Sequence, residues 1–254
     1  MLGWLRVGVR LGAVLAVMVG LYSLWNLGRP FAASSAPRSR AWRDWIYVHW
    51  ARATARAIGM RRSRRGPLPT APGLLVANHL GYVDVLLLAA ETGAVFVSKA
   101  EVRHWPLIGR TATAMGTLYV RRHDKRALAE VNASIGEAVR AGRIVGFFPE
   151  GTSTDGAGLL GFRPSLFETA ASSGAAVHCA ALRYRTRGDR PPASRAVCWG
   201  DGRPFLAHAL GLLALPGFDA EVSFAPEPLF GGERKELAQR AETRVRALYD
   251  DLRA

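Results

Sequence analysis

The sequence predicts an α/β protein, in which a largely parallel sheet is flanked by helices and preceded by an N-terminal membrane-associated helical segment. From residue 73 onward, short apolar runs alternate with longer segments of helical periodicity, which is typical of parallel β-α-β units. Before residue 73, a charge-free apolar run is followed by a segment rich in Trp and Arg. The chain has 254 residues, enough for one large domain with an appendage.

The net charge of +14 is concentrated in the N-terminal part of the chain. Residues 1–70 contain twelve Arg and one acidic residue, which gives +11, whereas the remainder carries only +3. Because the predicted domain is close to neutral, we expect no nucleic-acid partner. Cys179 and Cys198 lie in apolar, strand-like runs without metal-ligand spacing, so two reduced thiols and no metal site are expected.

Residues 1–30 are predicted to form a membrane helix. The run Leu11–Gly28 has no charge, and a spanning helix needs about 20 residues, or about 17 at the least. A signal peptide is the alternative, but its apolar core usually has about 7–15 residues. More Arg residues follow the run than precede it, which predicts a bacterial inner-membrane protein with the rest of the chain on the cytoplasmic face. Whether residues 11–28 span the membrane or lie in it stays open.

Residues 31–72 are predicted to combine an interfacial amphipathic helix with a basic linker. One face of the segment 40–60 presents, at helical spacing, Trp42, Ile46, Trp50, Ala53 and Ala57. Trp together with Arg is typical of a helix in the lipid headgroup layer, although an ordinary helix packed on the domain is the alternative. The Arg residues of 61–73 would contact anionic lipid at a membrane surface, or would be solvated.

The main globular domain is predicted to span residues 73–254. Apolar runs predict strands at 73–77, 94–98, 117–120, 143–148, 175–184 and 220–225. Helices are predicted at 82–91, 105–115, 124–141, 164–173, 206–215 and 233–252. Ligands of a parallel sheet collect beyond the carboxyl ends of its strands. Two polar clusters follow predicted strands, so we expect both to face one crevice.

The first polar cluster is His79 with Asp84. His79 follows the strand 73–77, and Asp84 lies in the first turn of the next helix. A carboxylate bonded to one imidazole nitrogen fixes the tautomer and leaves the other nitrogen to take a proton from a hydroxyl. With no nucleophile beside the pair in the sequence, the predicted reaction is deprotonation of a substrate alcohol that attacks an activated acyl group.

The second polar cluster lies in "FFPEGTSTDG", residues 147–156. Glu150 stands where a buried run opens, Gly151 permits close backbone approach, and two hydroxyls follow. Between the clusters, "MGTLYVRR" ends in two arginines, which suit a phosphate or a carboxylate. A helix cap or a solvated strand end is the alternative for each feature.

Three motifs, in order, resemble those of the glycerophospholipid acyltransferase family, which includes the lysophosphatidic acid acyltransferases. The first block, N-H-x4-D, is similar to "NHLGYVD"; the second is similar to "GTLYVRR", and the third to "FPEGTS". The resemblance covers about residues 73 to 185. It implies that the chain is an acyltransferase whose donor is a thioester of CoA or acyl carrier protein, and whose acceptor is a lysolipid. It implies no cofactor.

The resemblance also implies the roles of individual residues. His79 would be the general base with Asp84 as its partner, and Arg122 would contact the acceptor head group. The full set of residues expected to bind substrate is Asn78, Lys99, Arg122, Glu150, Gly151, Thr152 and Ser153.

The third block departs from the family pattern in a way that bears on the acceptor. Lysophosphatidate enzymes usually have E-G-T-R, whereas this chain has Ser153 in place of that arginine. "EGTSTDG", with "VSKAEVRHWPLIG" before it and "WGD" after it, is more similar to the branch of lyso-ornithine lipid acyltransferases. The acceptor is therefore expected to be a lyso-ornithine-type aminolipid, with 1-acylglycerol-3-phosphate as the other candidate.

Other functional classes find less support. "GAGLLG", residues 156–161, matches G-x-G-x-x-G but does not follow a strand directly, so a dinucleotide site is not expected. The sequence contains no G-x-S-x-G and no H-E-x-x-H, which argues against a serine hydrolase and a zinc protease. The rival class is a non-catalytic membrane-binding module, which would leave His79, Asp84 and Glu150 unexplained.

Overall fold

A computed structural model describes residues 2–32, 35–105, 108–121, 124–188, 191–200 and 202–254. The described strands are β1 (Met60–Arg65), β2 (Gly73–Ala77), β3 (Val95–Lys99), β4 (Leu118–Val120), β5 (Ile144–Phe147), β6 (Ala176–Thr186) and β7 (Phe218–Phe224). The described helices are α1 (Leu2–Ala32), α2 (Ala36–Ala57), α3 (Val83–Thr92), α4 (Ile108–Ala114), α5 (Lys125–Arg140), α6 (Glu168–Ser173), α7 (Ala193–Ala196), α8 (Phe205–Ala214) and α9 (Arg234–Arg253). Short 3₁₀ turns lie at Ala100–His104 and Pro164–Leu166.

These strands form one mixed sheet in the order β1-β7-β6-β2-β5-β3-β4. Every neighbouring pair is parallel except β6 with β7. Helices connect the parallel strands and cover the sheet, and β2 at its centre is buried at every residue. An uninterrupted apolar run is what a strand covered on both faces requires. The predicted α/β class with a largely parallel sheet is therefore confirmed.

The predicted basic linker is wrong in its first part, because residues 60–65 are strand β1. This edge strand runs parallel to β7, with Met60 opposite Phe218. Arg61 donates two hydrogen bonds to Asp219, at 2.8 and 2.7 Å, and Arg65 donates to Glu221 at 2.7 Å. The sheet thus uses these arginines for ion pairs within the domain, and the domain begins before residue 73.

Helix α2 is packed on the domain over most of its length. Ile46, Ala51 and Ala55 are fully buried, and α2 lies against α3. The Tyr47 hydroxyl donates to the carbonyl of Ala94, and the Arg52 guanidinium donates to that of Ala90. For this part of the helix, the alternative expectation of an ordinary packed helix is the correct one.

Helix α1 is long and apolar enough to cross a membrane, judged by length and composition, and only 6% of its most apolar window is buried. The C-terminal part of α1 packs against α2, where Gly28 lies against the Trp42 ring. Its N-terminal end is docked on α8. The Arg10 guanidinium donates to the carbonyls of Leu213, Leu215 and Pro216 at 3.1, 2.8 and 3.1 Å.

Candidate active site

The candidate site lies where β2 and β5 end at the carboxyl edge of the sheet. These strands are parallel neighbours, so residues 78–82, which we call the His79 loop, meet residues 148–153. A direct hydrogen bond joins the two segments, because Oε1 of Glu150 accepts from the backbone N–H of His79 at 2.8 Å. The polar clusters predicted to face one crevice are therefore in contact.

His79 and Asp84 form a close pair. The imidazole Nδ1 lies 2.7 Å from Oδ2 of Asp84. The same oxygen accepts the backbone N–H groups of Leu80 and Gly81, at 2.7 and 2.9 Å. Because Oδ2 is an acceptor for three groups, the imidazole donates from Nδ1, and its Nε2 is left with a lone pair.

The Asp84 carboxylate is fully enclosed by its partners. Its side chain has no exposed surface, and Oδ1 accepts from the Tyr184 hydroxyl at 2.6 Å. Burial and the adjacent carboxylate raise the pKa of Tyr184 well above its ordinary value, so this phenol remains a donor. Tyr184 lies a hundred residues away on β6, and no sequence motif pointed to it.

The imidazole of His79 is stacked on a neighbouring ring and is partly exposed to solvent. Its ring stacks on Phe148 with centroids 4.1 Å apart and planes at 7°. The His79 side chain is 20% exposed, and the described residues place no serine, threonine or cysteine side chain in hydrogen-bond contact with it. The geometry is that of an oriented base that can accept a proton from a small molecule in the crevice.

Glu150 is occupied by the protein's own backbone. Besides the bond from His79, Oε2 accepts the backbone N–H of Leu160 at 2.9 Å, and the residue is 2% exposed. Burial raises the pKa of its carboxyl, while the two backbone N–H groups oppose that shift. This arrangement favours a positioning role for Glu150 over the contact with the acceptor that the sequence suggested.

Glu150→Gln is expected to lower turnover about tenfold with little change in KM, since a misplaced base is costly in rate. The new NH₂ group would face either the His79 or the Leu160 N–H, so a lost buried bond should destabilise the fold by about 1–3 kcal/mol at neutral pH. Kinetics and urea denaturation measure both effects.

The raised pKa of Glu150 also sets the pH dependence of that destabilisation. The folded state favours the protonated carboxyl, so the contribution of Glu150 to stability falls as pH rises through its folded-state pKa. The stability difference between wild type and Glu150→Gln should therefore be smaller above this pKa than below it.

For the kinetics of Glu150→Gln, a raised KM for the acceptor at unchanged turnover would instead restore the acceptor-binding role.

Asn78 is likewise engaged within the fold. Its side-chain amide donates to the carbonyl of Leu182 at 3.1 Å and accepts from the N–H of the same residue at 2.7 Å. The amide thereby extends the pairing of β2 with β6 by one residue. This differs from the expected contact with substrate, because the buried side chain serves the backbone of the neighbouring strand.

The segment 151–153 forms a tight turn beside the base. Gly151 has a φ of +77°, and a Cβ there would lie 3.0 Å from Nε of Arg163, so glycine suits both the backbone and the close guanidinium. The Thr152 side chain is exposed. The Ser153 hydroxyl donates to the carbonyl of Trp199. Arg163, which the sequence reasoning missed, brings a positive charge to this turn.

Two predicted charged residues follow the neighbouring strands β3 and β4. Lys99 ends β3 and is exposed at the same edge of the sheet as His79, because β3 is parallel to β5. Arg122 follows β4 but lies outside the described residues. The sheet order puts the ends of β2, β5, β3 and β4 side by side.

Residues 198–200 and 202–208 form a further segment that contacts the His79 loop, and the sequence did not predict this contact. The backbone N–H of Trp199 donates to the carbonyl of Leu80 at 2.7 Å. His208 of α8 donates from Nε2 to the carbonyl of Cys198, so its Nδ1 accepts from the Tyr82 hydroxyl, at 3.0 Å each. The rings of Tyr82, Trp199, Phe205 and Trp105 pack edge to face or tilted, and we call them the aromatic cluster.

The thiols and the remaining histidines do not form a metal centre in the described part of the chain. No group of three or more His, Cys, Asp or Glu residues is placed there to hold a metal ion. Cys179 and Cys198 are buried and unpaired with each other, and burial raises the pKa of both thiols to about 12. His178 is buried on β6 and bonds the carbonyl of Ala71.

A known crystal structure shares this architecture. The structure superposes on the crystal structure of the 1-acyl-sn-glycerophosphate acyltransferase from Thermotoga maritima with a TM-score of 0.75, covering 100% of this chain and 98% of that one, at 18% identity. At this identity the likeness shows the fold.

Sequence relatives are found over nearly the whole chain. The lyso-ornithine lipid O-acyltransferase of Pseudomonas aeruginosa is 36% identical, over 93% of this chain and 90% of its own length. That of Rhizobium meliloti is 31% identical, over 99% and 88%. The 1-acyl-sn-glycerol-3-phosphate acyltransferase of Neisseria gonorrhoeae is 34% identical over half of each chain.

The family resemblance drawn from the three motifs is confirmed by the match to a family model. The model described as Acyltransferase matches residues 44–183. This range includes the His79 loop, the segment 148–153 and most of β6, and it ends one residue before Tyr184. With the oriented His79–Asp84 pair inside the matched region, the chain belongs to the acyltransferase family and is an acyltransferase.

Proposed function

We propose that the protein transfers a fatty acyl group from a thioester to the free hydroxyl of a lysolipid. The observation that carries this proposal is the imidazole of His79, which is bonded to Asp84 at Nδ1, is one-fifth exposed, and has no protein nucleophile bonded to it among the described residues. Such a base serves an alcohol supplied by the substrate.

The reaction balances without any further reactant. The acceptor hydroxyl loses its proton to Nε2 of His79, and its oxygen forms a bond to the thioester carbonyl carbon. The C–S bond then breaks, and the imidazolium returns the proton to the leaving sulfur, which gives an ester and a free thiol. Asp84 stabilises the imidazolium between these two steps. The donor would be acyl carrier protein or CoA carrying the acyl group.

The acceptor is best assigned as a lyso-ornithine-type aminolipid. Relatives with that activity in their names match 93–99% of this chain, whereas the named glycerol-phosphate relative matches half of it. An aminolipid head group carries a carboxylate for Arg122 or Arg163 and an ammonium that an additional arginine at position 153 would repel. Ser153 keeps the usual arginine position uncharged, and the exposed carboxylate of Asp155 is two residues away.

The proposal is tested with purified full-length protein in mixed micelles, with acyl-CoA or acyl carrier protein as donor. Lyso-ornithine lipid, lysophosphatidate and lysophosphatidylethanolamine serve as acceptors, and lipid mass spectrometry identifies the products. We expect ornithine lipid to form fastest. Efficient acylation of lysophosphatidate without any aminolipid product would contradict the acceptor assignment, and no product with any pair would contradict acyl transfer itself.

Ser153→Arg is expected to shift the ratio of kcat/KM values toward lysophosphatidate about tenfold or more, since a charge-assisted hydrogen bond is worth about 1.5–3 kcal/mol. The substitution also removes the bond to Trp199, so Ser153→Ala is the matched control that loses this bond without adding charge. If both variants give the same acceptor ratio, the charge at position 153 does not select the acceptor.

For the membrane, we propose that α1 lies in the cytoplasmic leaflet and does not cross the bilayer. Its N-terminal end touches the catalytic domain through Gly3 and Arg10 on α8, and its other end returns to the domain along α2. A spanning helix would carry its N-terminus to the opposite side of the membrane from the domain. The contacts of both ends therefore favour an apolar helix that is embedded from one side.

Leu2→Cys provides a test of this arrangement in cells that express the protein. We expect the new thiol to resist a membrane-impermeant maleimide in intact spheroplasts and to react after the membrane is permeabilised. Cys179 and Cys198 are buried, so the unmodified protein supplies the background. Labelling in intact spheroplasts would show that the N-terminus lies outside and that α1 spans.

A further inference from the structure

An apolar groove separates the N-terminal turns of α1 from α8. Its volume is about 430 Å³, within the size range of small-molecule sites. Its walls are mainly small and apolar and include Gly3, Trp4, Val7, Ala207, Gly211 and Ala214. The two helices are held at this spacing by Arg10, whose guanidinium bonds three carbonyls at the end of α8.

The mouth of the groove is continuous with exposed apolar surface. Leu2, Trp4 and Leu5 of α1 are 66–73% exposed, and Leu206 of α8 is 67% exposed. Along the same helix, the apolar window of α1 leaves nearly all of its surface uncovered. Apolar patches of this kind mark contacts with lipid or protein, and the length and composition of α1 favour lipid.

At Ala207, the end of the groove is separated from the His79 loop by the first turn of α8. Ala207 in the groove wall is adjacent in sequence to His208, which is buried on the opposite face of α8 and accepts from the Tyr82 hydroxyl. Phe205, one residue before Leu206, packs on Tyr82 within the aromatic cluster. Tyr82 belongs to the His79 loop, so a single helical turn of α8 connects the groove to the loop that carries the base.

We infer that this groove binds the fatty acyl chain of the lysolipid acceptor and guides its hydroxyl from the bilayer to His79. This inference rests on the proposed function. The acceptor resides in the membrane, and the groove opens on the surface that α1 presents to lipid. The donor carriers, in contrast, are water-soluble, so their acyl groups need no entrance on that side.

Gly211→Leu tests the inference, because the new side chain fills the groove without a clash: a Cβ at Gly211 meets no atom within 4 Å. Gly12→Leu is the matched control, because Gly12 is also helical, exposed and without a neighbour within 4 Å, and it lies outside the groove. Both substitutions introduce a better helix former, so neither is expected to impair folding.

For Gly211→Leu, kcat/KM should fall about 15-fold with a lyso-ornithine lipid that carries a hydroxyhexadecanoyl chain, since each buried methylene is worth roughly a factor of four and the leucine displaces about two of them. With the hydroxyhexanoyl homologue the change should stay below about twofold, because a short chain makes few groove contacts. The KM for the acyl donor should stay unchanged. Gly12→Leu should behave as wild type with both acceptors.

Four other outcomes would overturn the inference. Equal losses with both acceptor chain lengths would exclude acceptor-chain binding. A loss that follows the chain length of the donor would assign the groove to the donor, and weaker vesicle binding without a chain-length effect would assign it to bulk lipid. A wild type that acylates lysolipids while Gly211→Leu is unaffected refutes the groove and leaves the proposed function standing.

Discussion

Replacing His79 by alanine is expected to reduce turnover by about 10²–10⁴-fold, the usual range for loss of a general base. The bond from Nδ1 to Asp84 fixes Nε2 as the proton-accepting atom of this imidazole. His79 follows the end of β2 and lies outside the apolar core, and its side chain is one-fifth exposed. The variant should therefore fold normally, with an unchanged KM for the donor.

The measurement is single-turnover acyl transfer, with circular dichroism and thermal denaturation to verify folding. His49→Ala is a suitable control, because His49 lies on α2, away from the crevice, and stacks on Trp45. Near-normal turnover in a folded His79→Ala protein would remove the base from the mechanism, whatever the status of the family assignment.

The sheet was largely predictable because its central strands are locally encoded. Residues 73–77 form an apolar run that becomes a strand in the predicted position, since a strand covered on both faces must be apolar throughout. Strand β1 was not predictable in this way. Its sequence, "MRRSRR", reads as solvated, and only Asp219 and Glu221 on β7, more than 150 residues away, make it a favourable edge strand.

The catalytic pair was predictable because His79 lies on the short loop before α3 and Asp84 lies in the first turn of that helix, a spacing that allows contact. The surroundings of the pair were not. The Tyr184 hydroxyl donates to Asp84 from β6, a mainly apolar strand whose sequence contains no motif that marks Tyr184 as part of the site. Glu150 was recognised as part of the site, but the direction of its carboxylate depends on the backbone of His79 and Leu160. Local patterns identify reactive residues, whereas long-range hydrogen bonds decide what each of them contacts.

Asp84→Asn is expected to lower turnover by about 10- to 150-fold, since loss of a charge-assisted hydrogen bond costs about 1.5–3 kcal/mol. From sequence alone, the new amide could present its NH₂ to the imidazole and invert the tautomer. The structure opposes this orientation. Two backbone N–H groups and the imidazole converge on one oxygen position, so the amide oxygen should occupy it.

The amide NH₂ would then face the Tyr184 hydroxyl, which can rotate and accept, because a phenol is both donor and acceptor. The tautomer of His79 is retained, and what is lost is the negative charge that stabilises the imidazolium. Asp84→Ala should be worse. It leaves the Leu80 and Gly81 N–H groups and the Tyr184 hydroxyl without their buried partner, at about 1–3 kcal/mol for each group.

A double-mutant cycle between positions 84 and 184 tests this account. Tyr184→Phe alone should have a small effect, since the carboxylate keeps its three other donors. Combined with Asp84→Asn, it removes the acceptor of the amide NH₂, so turnover and melting temperature should both fall by more than the sum of the single changes. Adding Asp84→Asn to His79→Ala should change turnover little, because the charge acts through the imidazole. Additive losses in both cycles would show that Tyr184, Asp84 and His79 do not form one unit, and a stable Asp84→Asn protein as inactive as His79→Ala would show that the tautomer is inverted after all.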